Sequence, residues 1–359
     1  MARVLLSPAQ VGAVALRNRV VMAPMTRRRS SPGNVPGSLA ATYYAQRASA
    51  GLLVSEAALV CAEGASYPGS PGIYDDAQLE VWRAIASAVH ARGAPMFLQL
   101  WHAGRFSDPE FLGGALPVAP SPIAIRGDVK TASGARPFVT PRALDAGELP
   151  GIVRLFAEGA RRARAAGFDG VEVHAAQGYL IDQFLRDGAN QRDDAYGGSV
   201  PRRARLLLEV VDAVVAACGA DRVGVQLSPA STLGDMSDSD PDETFGFAVD
   251  RLSERGLAYL HVFEPLGSGP RCSPALRRKF RGAFIANGGY AAASAEAAIA
   301  GGEADLVSFG RPFIANPDLA ERIAEDAPWA TPDPSTFYGG DARGYTDYAP
   351  YSAHGSPPR

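Results

Sequence analysis

The sequence has few cysteines, no long apolar run and no marked excess of charge of either sign. Three cysteines occur among 359 residues, too few and too scattered for a disulfide framework or a CxxC metal site, which predicts a reduced, cytoplasmic protein. No uninterrupted apolar stretch approaches the roughly 18 residues that a membrane-spanning helix needs. Residues 1–10 lack the basic and apolar regions of a signal peptide, so we expect no targeting segment.

Charge is nearly balanced, with 35 Lys and Arg against 38 Asp and Glu, for a formal net charge of −3. This balance gives no electrostatic attraction for nucleic acid or for an acidic membrane surface, so neither is expected as a partner. Hydrophobic residues make up 47% of the chain, which suffices for a sizeable core and excludes global disorder.

Several motifs that carry chemistry are also absent. No HExxH pair and no cluster of Cys and His occurs, so no metal site is predicted. The lack of a GxSxG elbow disfavours a serine hydrolase. There is no P-loop, and no GxGxxG follows a first strand, so a Rossmann dinucleotide-binding domain is not supported.

The chain does contain eight short apolar segments whose continuous apolar character predicts strands buried on both faces, as in a parallel sheet. They span residues 20–25, 52–56, 96–101, 170–174, 223–227, 259–263, 284–286 and 306–309. Helical patterns separate many of them, at 78–92, 150–166, 202–217, 242–254 and 293–300, and most of these end near a glycine.

A strand followed by a helix, repeated about eight times, predicts an α/β fold of the (β/α)8 TIM-barrel type, with one domain over residues 1–350. The alternative is an open doubly wound sheet, in which eight units are hard to accommodate. The irregular, proline-containing stretch 103–149 predicts a lid-like insertion after the third strand. Residues from 327 onward are expected to be irregular, with a frayed tail at 351–359.

Polar side chains at the carboxyl ends of the strands are the candidate functional residues, because active sites of such barrels lie there. They are Thr26, Gln99, His102, His174, Gln177, Tyr179, Gln226 and Arg311. We interpret His102 and the in-strand His261 as structural. The run Arg27-Arg28-Arg29 is interpreted as a solvated or phosphate-adjacent face, since it is too short for a nucleic-acid patch.

Two glycine clusters follow the seventh and eighth strands, at residues 287–289 and 309–312. Glycines let backbone N–H groups approach a phosphate, and Arg311 adds a bidentate cation, so a phosphate site is predicted here. The alternative is that both clusters are ordinary tight turns.

The sequence His174-Ala-Ala-Gln177-Gly-Tyr179 is the other chemical constellation. A histidine and an amide three residues apart can both donate to one carbonyl oxygen and stabilise negative charge on it. A protonated tyrosine beside them can act as a general acid. The alternative is a buried histidine satisfied by a backbone carbonyl.

In these motifs and several others, the chain resembles the Old Yellow Enzyme family of FMN-dependent ene-reductases over nearly its whole length. The matching stretches are residues 18–26, 98–105, 170–180, 194–199, 235–240, 310–317 and 336–340, in matching order and spacing. The resemblance implies a (β/α)8 barrel with FMN bound tightly but non-covalently, and NADPH as reductant. Position 26 has threonine and not cysteine, and by this resemblance the chain falls in the threonine-containing branch of the family.

The resemblance also implies residue roles. Pro24, Thr26 and Ala57 would line the flavin ring, Gln99 would pair with its pyrimidine edge, and Gly288, Gly289, Gly310 and Arg311 would bind its phosphate. His174 and its partner Gln177 would polarise the carbonyl of an α,β-unsaturated substrate, hydride would pass from reduced flavin to the β-carbon, and Tyr179 would protonate the α-carbon. Tyr67 and Tyr338 would line the pocket for an enone or a phenolic ligand, in a monomer or homodimer.

Two residues depart from the family pattern. Gln177 replaces an Asn or His and adds one methylene to the amide donor. Gln226 replaces an arginine that would face the flavin N1 and C2 carbonyl, so we expect a lower flavin reduction potential, because charge-assisted bonds are roughly twice as strong as neutral ones. These departures leave two alternatives to a reductase: a flavin-dependent desaturase or redox-neutral isomerase, and a non-catalytic ligand-binding barrel.

Overall fold

A computed structural model describes residues 3–267, 269 and 271–351. Eight parallel strands form the framework of this described chain. They are β1 (Val20–Met22), β2 (Leu52–Val54), β3 (Met96–Trp101), β4 (Gly170–His174), β5 (Val223–Leu227), β6 (Tyr259–Phe263), β7 (Ala283–Asn287) and β8 (Leu306–Phe309).

Each strand pairs in parallel with the next, and β8 pairs with β1, so the sheet closes into a barrel. The short strand Ala58–Leu59 also pairs with β3. The TIM barrel and the single domain predicted from the strand–helix alternation are confirmed. Five of the eight predicted strands have the same bounds, and the first, second and seventh differ at their ends. Most of the frayed tail expected at 351–359 lies outside the described residues.

Helices lie between the strands. They are α1 (Ala40–Gln46), α2 (Asp76–His90), α3 (Leu149–Ala165), α4 (Leu180–Leu185), α5 (Val200–Arg203), α6 (Arg205–Cys218), α7 (Pro241–Ser253), α8 (Ser273–Lys279), α9 (Ala292–Ala300), α10 (Arg311–Ala315) and α11 (Leu319–Ala324). In the described part of the chain, no helix is long and apolar enough to cross a membrane.

The amino end of the barrel is closed. A hairpin of Ala9–Val11 and Val14–Leu16 packs its apolar residues against interior residues of the barrel, among them Val21 and Leu306. Gly12 makes the turn at a φ of 53°, and a Cβ there would lie 1.9 Å from the Asp221 carbonyl oxygen. Ligand access is therefore left to the opposite, carboxyl end.

The insertion at 103–149 is not wholly irregular. It contains a hairpin of Asp128–Thr131 with Gly134–Pro137, and Val118–Ala119 pairs in parallel with Arg142–Ala143. Its Phe106 packs edge-on against Tyr179, with ring centroids 5.7 Å apart. The insertion thus contributes a wall to the carboxyl end of the barrel, and its action as a lid stays a prediction.

The arginine run has a different role from the one its sequence indicates. Arg27 is only 1% exposed. Its guanidinium donates to the carbonyls of Phe337 (2.9 Å) and Gly344 (2.7 Å), and Arg29 donates to the carbonyl of Thr336 at 3.0 Å. The interpretation as a solvated face is wrong for Arg27, because the irregular C-terminal segment folds back over it and uses it as a hydrogen-bond donor.

Candidate active site

The carboxyl ends of the strands bring the predicted site residues together at one end of the barrel. Gln99 and His174 lie within β3 and β4, and their side chains are buried. Gln226 is likewise buried on β5, while Thr26 and Arg311 follow β1 and β8. Parallel pairing aligns His174 with Gln226 and Glu172 with Gln99, so the neighbours along these strands are fixed by register.

Tyr179 is the best placed proton donor. It caps the amino end of α4, and its ring packs edge-on against Trp101, with centroids 5.1 Å apart. Its hydroxyl lies 3.4 Å from the Tyr67 hydroxyl. Burial, and then the neighbouring Tyr67, raise the pKa of Tyr179 well above its ordinary range. The phenol therefore holds its proton at any ordinary pH, as a general acid must.

His174 is neutral and has an unused ring nitrogen. Its ring lies edge-on to Tyr179, with centroids 4.9 Å apart. Burial, and then the nearby His261, lower the pKa of His174 to about 3. Its Nδ1 is buried and has no hydrogen-bond partner among the described residues. A buried polar atom without a partner is costly, which favours a ligand here over a nitrogen satisfied by a backbone carbonyl.

Gln177 is held in an unusual backbone conformation, with a φ of 59°. Its backbone N–H donates to the Ser228 hydroxyl at 2.7 Å, and its side-chain oxygen accepts from the Ser231 hydroxyl at 3.2 Å. These contacts orient the amide oxygen toward the β5 loop. The amide nitrogen donates to no other described residue, so it stays available to a ligand.

A buried polar network lies behind these residues. The Gln99 amide nitrogen donates to Glu172 (2.7 Å) and to the Gln226 amide oxygen (3.0 Å). His261 Nδ1 lies 2.9 Å from the other Glu172 oxygen, and its Nε2 lies 2.8 Å from the Ser308 hydroxyl. Because Nδ1 is engaged by Glu172, it cannot also accept from the Gln226 amide nitrogen 3.5 Å away. An amide N–H of Gln226 is therefore free for a ligand.

Sequence reasoning missed Glu172 as a site residue and interpreted His261 only as structural. The available signal was a carboxylate inside an otherwise apolar strand, two residues before His174 and thus on the same face of β4. Among the described residues no Lys or Arg pairs with Glu172, whose ion-pair partner is His261. Within the described residues, the hydrogen-bond network of Gln226 therefore contains a carboxylate and no arginine.

The glycine clusters form a cradle at the ends of β7 and β8. Gly288 has a φ of 138°, and a Cβ there would lie 2.1 Å from the Glu264 carbonyl oxygen, so only glycine fits. Gly289 has a φ of 90°, and no atom lies within 4 Å of the position that its Cβ would take. Arg311 is exposed and has no ion-pair or hydrogen-bond partner for its side chain among the described residues. Open backbone and a free cation fit a phosphate group.

A surface cleft of about 520 Å³ continues from this cradle, with Arg311, Trp329 and Phe337 among its lining residues. On the other side of the site, Ala57, Trp101 and Tyr179 belong to one buried apolar cluster. The indole N–H of Trp101 is buried without a partner in the described chain. Apolar walls, unpaired donors and a phosphate cradle together fit a planar, polar-edged cofactor with a phosphate tail.

These features define a class, the flavin-dependent oxidoreductases built on a (β/α)8 barrel, and comparison with known proteins agrees. Residues 4–329 match the family described as NADH:flavin oxidoreductase / NADH oxidase. The chain is 45% identical over 355 residues to 12-oxophytodienoate reductase 1 of Oryza sativa subsp. japonica, which covers 96% of this chain and 92% of that protein.

Solved structures are equally similar. Morphinone reductase in complex with tetrahydroNAD has a TM-score of 0.94 and 46% identity, covering 98% of this chain and 99% of that one. The old yellow enzyme homologue from Zymomonas mobilis has a TM-score of 0.94 and 43% identity, covering 96% and 99%. The chain therefore belongs to the Old Yellow Enzyme family and is an oxidoreductase of that type.

Proposed function

We propose that the protein is an NADPH-dependent ene-reductase that uses FMN to reduce the activated C=C bond of α,β-unsaturated carbonyl compounds. The observation that carries this proposal is the arrangement of Tyr179 and His174: a protonated phenol lies edge-on to a neutral histidine that has an unpartnered nitrogen. Enone reduction requires these two elements, a proton source and a donor to the carbonyl oxygen.

The proposed FMN site would use residues in or after six strands, β1, β2, β3, β5, β7 and β8. Gln99 and the free amide N–H of Gln226 would face the pyrimidine edge. Pro24, Thr26 and Ala57 would line the ring system. Gly288, Gly289, Gly310 and Arg311 would hold the phosphate. Bound there, FMN would supply the hydride chemistry that links NADPH to the β-carbon of the substrate.

The protein side chains do the rest of the chemistry. The unpartnered nitrogen of His174 and the amide nitrogen of Gln177 would hold the carbonyl oxygen and stabilise the charge that develops on it. Tyr179 would hold its proton at Oη and deliver it to the α-carbon. Tyr67 and Tyr338 would line the pocket, while Trp101 and Phe106, which pack against Tyr179, would exclude water from the proton donor.

The visible absorption of the purified protein tests this proposal. We expect a yellow protein that bleaches on anaerobic addition of NADPH and recovers its colour on addition of 2-cyclohexenone. Protein that stays colourless after incubation with FMN would overturn the flavoenzyme assignment. Yellow protein that bleaches with NADPH but is never reoxidised by any of a panel of enones would retain the flavin and overturn the ene-reductase assignment.

A second candidate, a flavin-dependent desaturase or redox-neutral isomerase, is favoured by one observation. Gln226 lies where the family has an arginine, and Glu172 is a buried carboxylate nearby, so reduced flavin would have less stabilisation of negative charge. A reductase consumes one NADPH per product, whereas an isomerase consumes none. Stoichiometry therefore separates the two functions.

A further inference from the structure

Arg28 has a cationic side chain that nothing in the described chain neutralises. Its guanidinium carbon lies 4.1 Å from the centroid of the Tyr67 ring and 5.1 Å from that of Tyr338. Its Nε is buried and has no hydrogen-bond partner. Within residues 3–267, 269 and 271–351, no carboxylate forms an ion pair with it, whereas its neighbours Arg27 and Arg29 both donate to carbonyls of the C-terminal segment.

The backbone holds Arg28 in this place. Its φ is 55°, a left-handed conformation that is uncommon for residues other than glycine. On one side the Ser30 N–H donates to the Gly69 carbonyl at 3.0 Å, and on the other the Gly339 N–H donates to the Arg27 carbonyl at 2.9 Å. Strained backbone that is fixed from two sides is frequent at ligand sites. Here it directs the Arg28 side chain between Tyr67 and Tyr338, a tyrosine of the C-terminal segment.

The position is the mouth of the candidate active site. Tyr338 is 60% exposed, so one ring in contact with Arg28 faces solvent. The other, Tyr67, has its hydroxyl 3.4 Å from that of Tyr179. A guanidinium that contacts aromatic rings keeps its N–H groups free to bind an anion bidentately. The cation thus lies one residue away from the proton donor and contacts a ring that faces solvent.

We propose that Arg28 is an anion-binding residue that selects small molecules carrying a carboxylate or phosphate group at the end remote from the reacting carbonyl. This rests on the proposed function, because the reacting end must lie at His174 and Tyr179. Two sources share this chemistry: the carboxylate of an acidic enone, and a phosphate of the nicotinamide coenzyme. The proposal for Arg28 does not depend on Gln226, the uncharged residue that would face the pyrimidine edge of the flavin.

The first arm of the test uses two phenolic ligands, 4-hydroxybenzoate and its methyl ester, titrated into the FMN-loaded protein and followed by the perturbation of the flavin spectrum. Arg28→Met is expected to weaken binding of the acid about tenfold, because roughly one charge-assisted hydrogen bond is lost. Binding of the ester should change less than about twofold. Arg28→Lys should restore part of the affinity for the acid. Arg278→Met, which removes one exposed charge on α8, is the control for net charge.

The second arm measures the concentrations of NADPH and of NADH that give half the maximal rate of anaerobic flavin bleaching. If a coenzyme phosphate is the anion, Arg28→Met raises these concentrations about tenfold while the acid-to-ester ratio stays unchanged. A change confined to NADPH would assign the 2′-phosphate, and a change for both coenzymes would assign the pyrophosphate. The proposal is supported if Arg28→Met changes the acid-to-ester ratio of affinities or the coenzyme concentrations, and Arg278→Met changes neither.

Unchanged values in both arms, with ester binding intact, would overturn the role of Arg28 and leave the proposed function standing. Equal weakening of acid and ester would also overturn it, because a general disturbance of the pocket would then explain the result. If the wild-type protein shows no flavin perturbation with the acid, and Arg28→Met leaves both coenzyme concentrations unchanged, the role of Arg28 falls; the proposed function falls only if no enone reoxidises the flavin.

Discussion

The hydroxyl oxygens of Tyr67 and Tyr179 lie 3.4 Å apart, although 112 residues separate the two tyrosines in the chain. The distance is longer than that of a strong O–H···O hydrogen bond, so each hydroxyl can still turn to a ligand placed between them and His174. Burial raises the pKa of both phenols, Tyr179 more than Tyr67. The pair is therefore suited to hold a proton near a substrate carbon, not to act as a base.

Replacing Tyr179 by Phe should remove the proton donor and little else. We expect NADPH to bleach the flavin at an unchanged rate, and the rate of enone reduction to fall roughly 10²- to 10⁴-fold, the usual contribution of a general acid. Stopped-flow measurement of the two half-reactions separates these effects. Tyr67→Phe is the matched control and should have a much smaller effect. Equal effects of the two substitutions, or slower bleaching, would contradict the role of Tyr179.

Gln226→Arg should raise the flavin reduction potential. The substitution introduces a cation at the proposed pyrimidine edge, where the Gln99–Glu172 contact now places a buried carboxylate. One added charge-assisted hydrogen bond corresponds to an increase of about 30–60 mV for a two-electron couple. Equilibration with a reference dye measures the potential, and Gln226→Leu should lower it. An unchanged potential in the arginine variant would contradict the assignment of Gln226 to the flavin.

Arg311→Ala should weaken FMN binding without destabilising the fold. Arg311 is exposed and forms no ion pair in the described chain, so its removal costs the apoprotein less than about 0.5 kcal/mol. Loss of a charge-assisted phosphate contact should raise the FMN dissociation constant roughly tenfold or more. Fluorescence titration of apoprotein with FMN measures the affinity, with Arg278→Ala as control. Unchanged affinity would move the phosphate site elsewhere.

Gln177→Asn should stabilise the protein. The residue at this position has a φ of 59°, which asparagine adopts more readily than glutamine. We expect the free energy of unfolding in urea to rise by roughly 0.5–1 kcal/mol. Because the shorter side chain restores the amide reach usual in the family, kcat/KM for 2-cyclohexenone should also rise. A fall in both quantities would show that the Ser231 contact of Gln177 matters more than backbone strain.

Glu56 should make stability depend on pH in a defined direction. This carboxyl is buried and accepts from the Arg27 N–H at 3.0 Å, and burial raises its pKa to about 7 from about 4.5 in the unfolded chain. Between pH 4.5 and 7 the folded state retains a proton that the unfolded state has lost, so this group's contribution to stability falls as pH rises through that window.

Glu56→Gln should remove this dependence. The difference in free energy of unfolding, variant minus wild type, should increase by about 2–3 kcal/mol as the pH is raised from 5 to 7. The low pKa values of His102 and His174 contribute equally to the pH dependence of stability in both proteins, so they cancel in the difference. A constant difference between the two proteins across this range would contradict a raised pKa for Glu56.

Much of the barrel could be predicted because each strand is marked by a pattern in its own few residues. Strands buried on both faces are continuous apolar runs, and β3, β4, β5, β6 and β8 have the expected bounds for that reason. The short helices α4, α10 and α11 could not be predicted, since five or six residues show no helical period. Helix α1 is missed for a similar reason, being seven residues long.

The site was predictable where one residue type implies its chemistry, and not where its role depends on distant contacts. The burial of Arg27 depends on carbonyls some 310 residues away in the chain, which no local pattern reveals. The left-handed backbone at Arg28 and Gln177 has no glycine to signal it. Glu172 lies in a strand that otherwise appears apolar, so its partner His261 on a different strand was interpreted in isolation.

The central claim, that this protein reduces enones at the expense of NADPH, is tested most directly by stoichiometry in D₂O. Purified holoprotein, NADPH and 2-methylcyclohexenone are allowed to react anaerobically, and NADPH consumption is compared with product by mass spectrometry. The account predicts one NADPH consumed per saturated ketone, with one solvent deuteron added at the α-carbon and none at the β-carbon. An isomerised product, formed without consumption of NADPH, would contradict it.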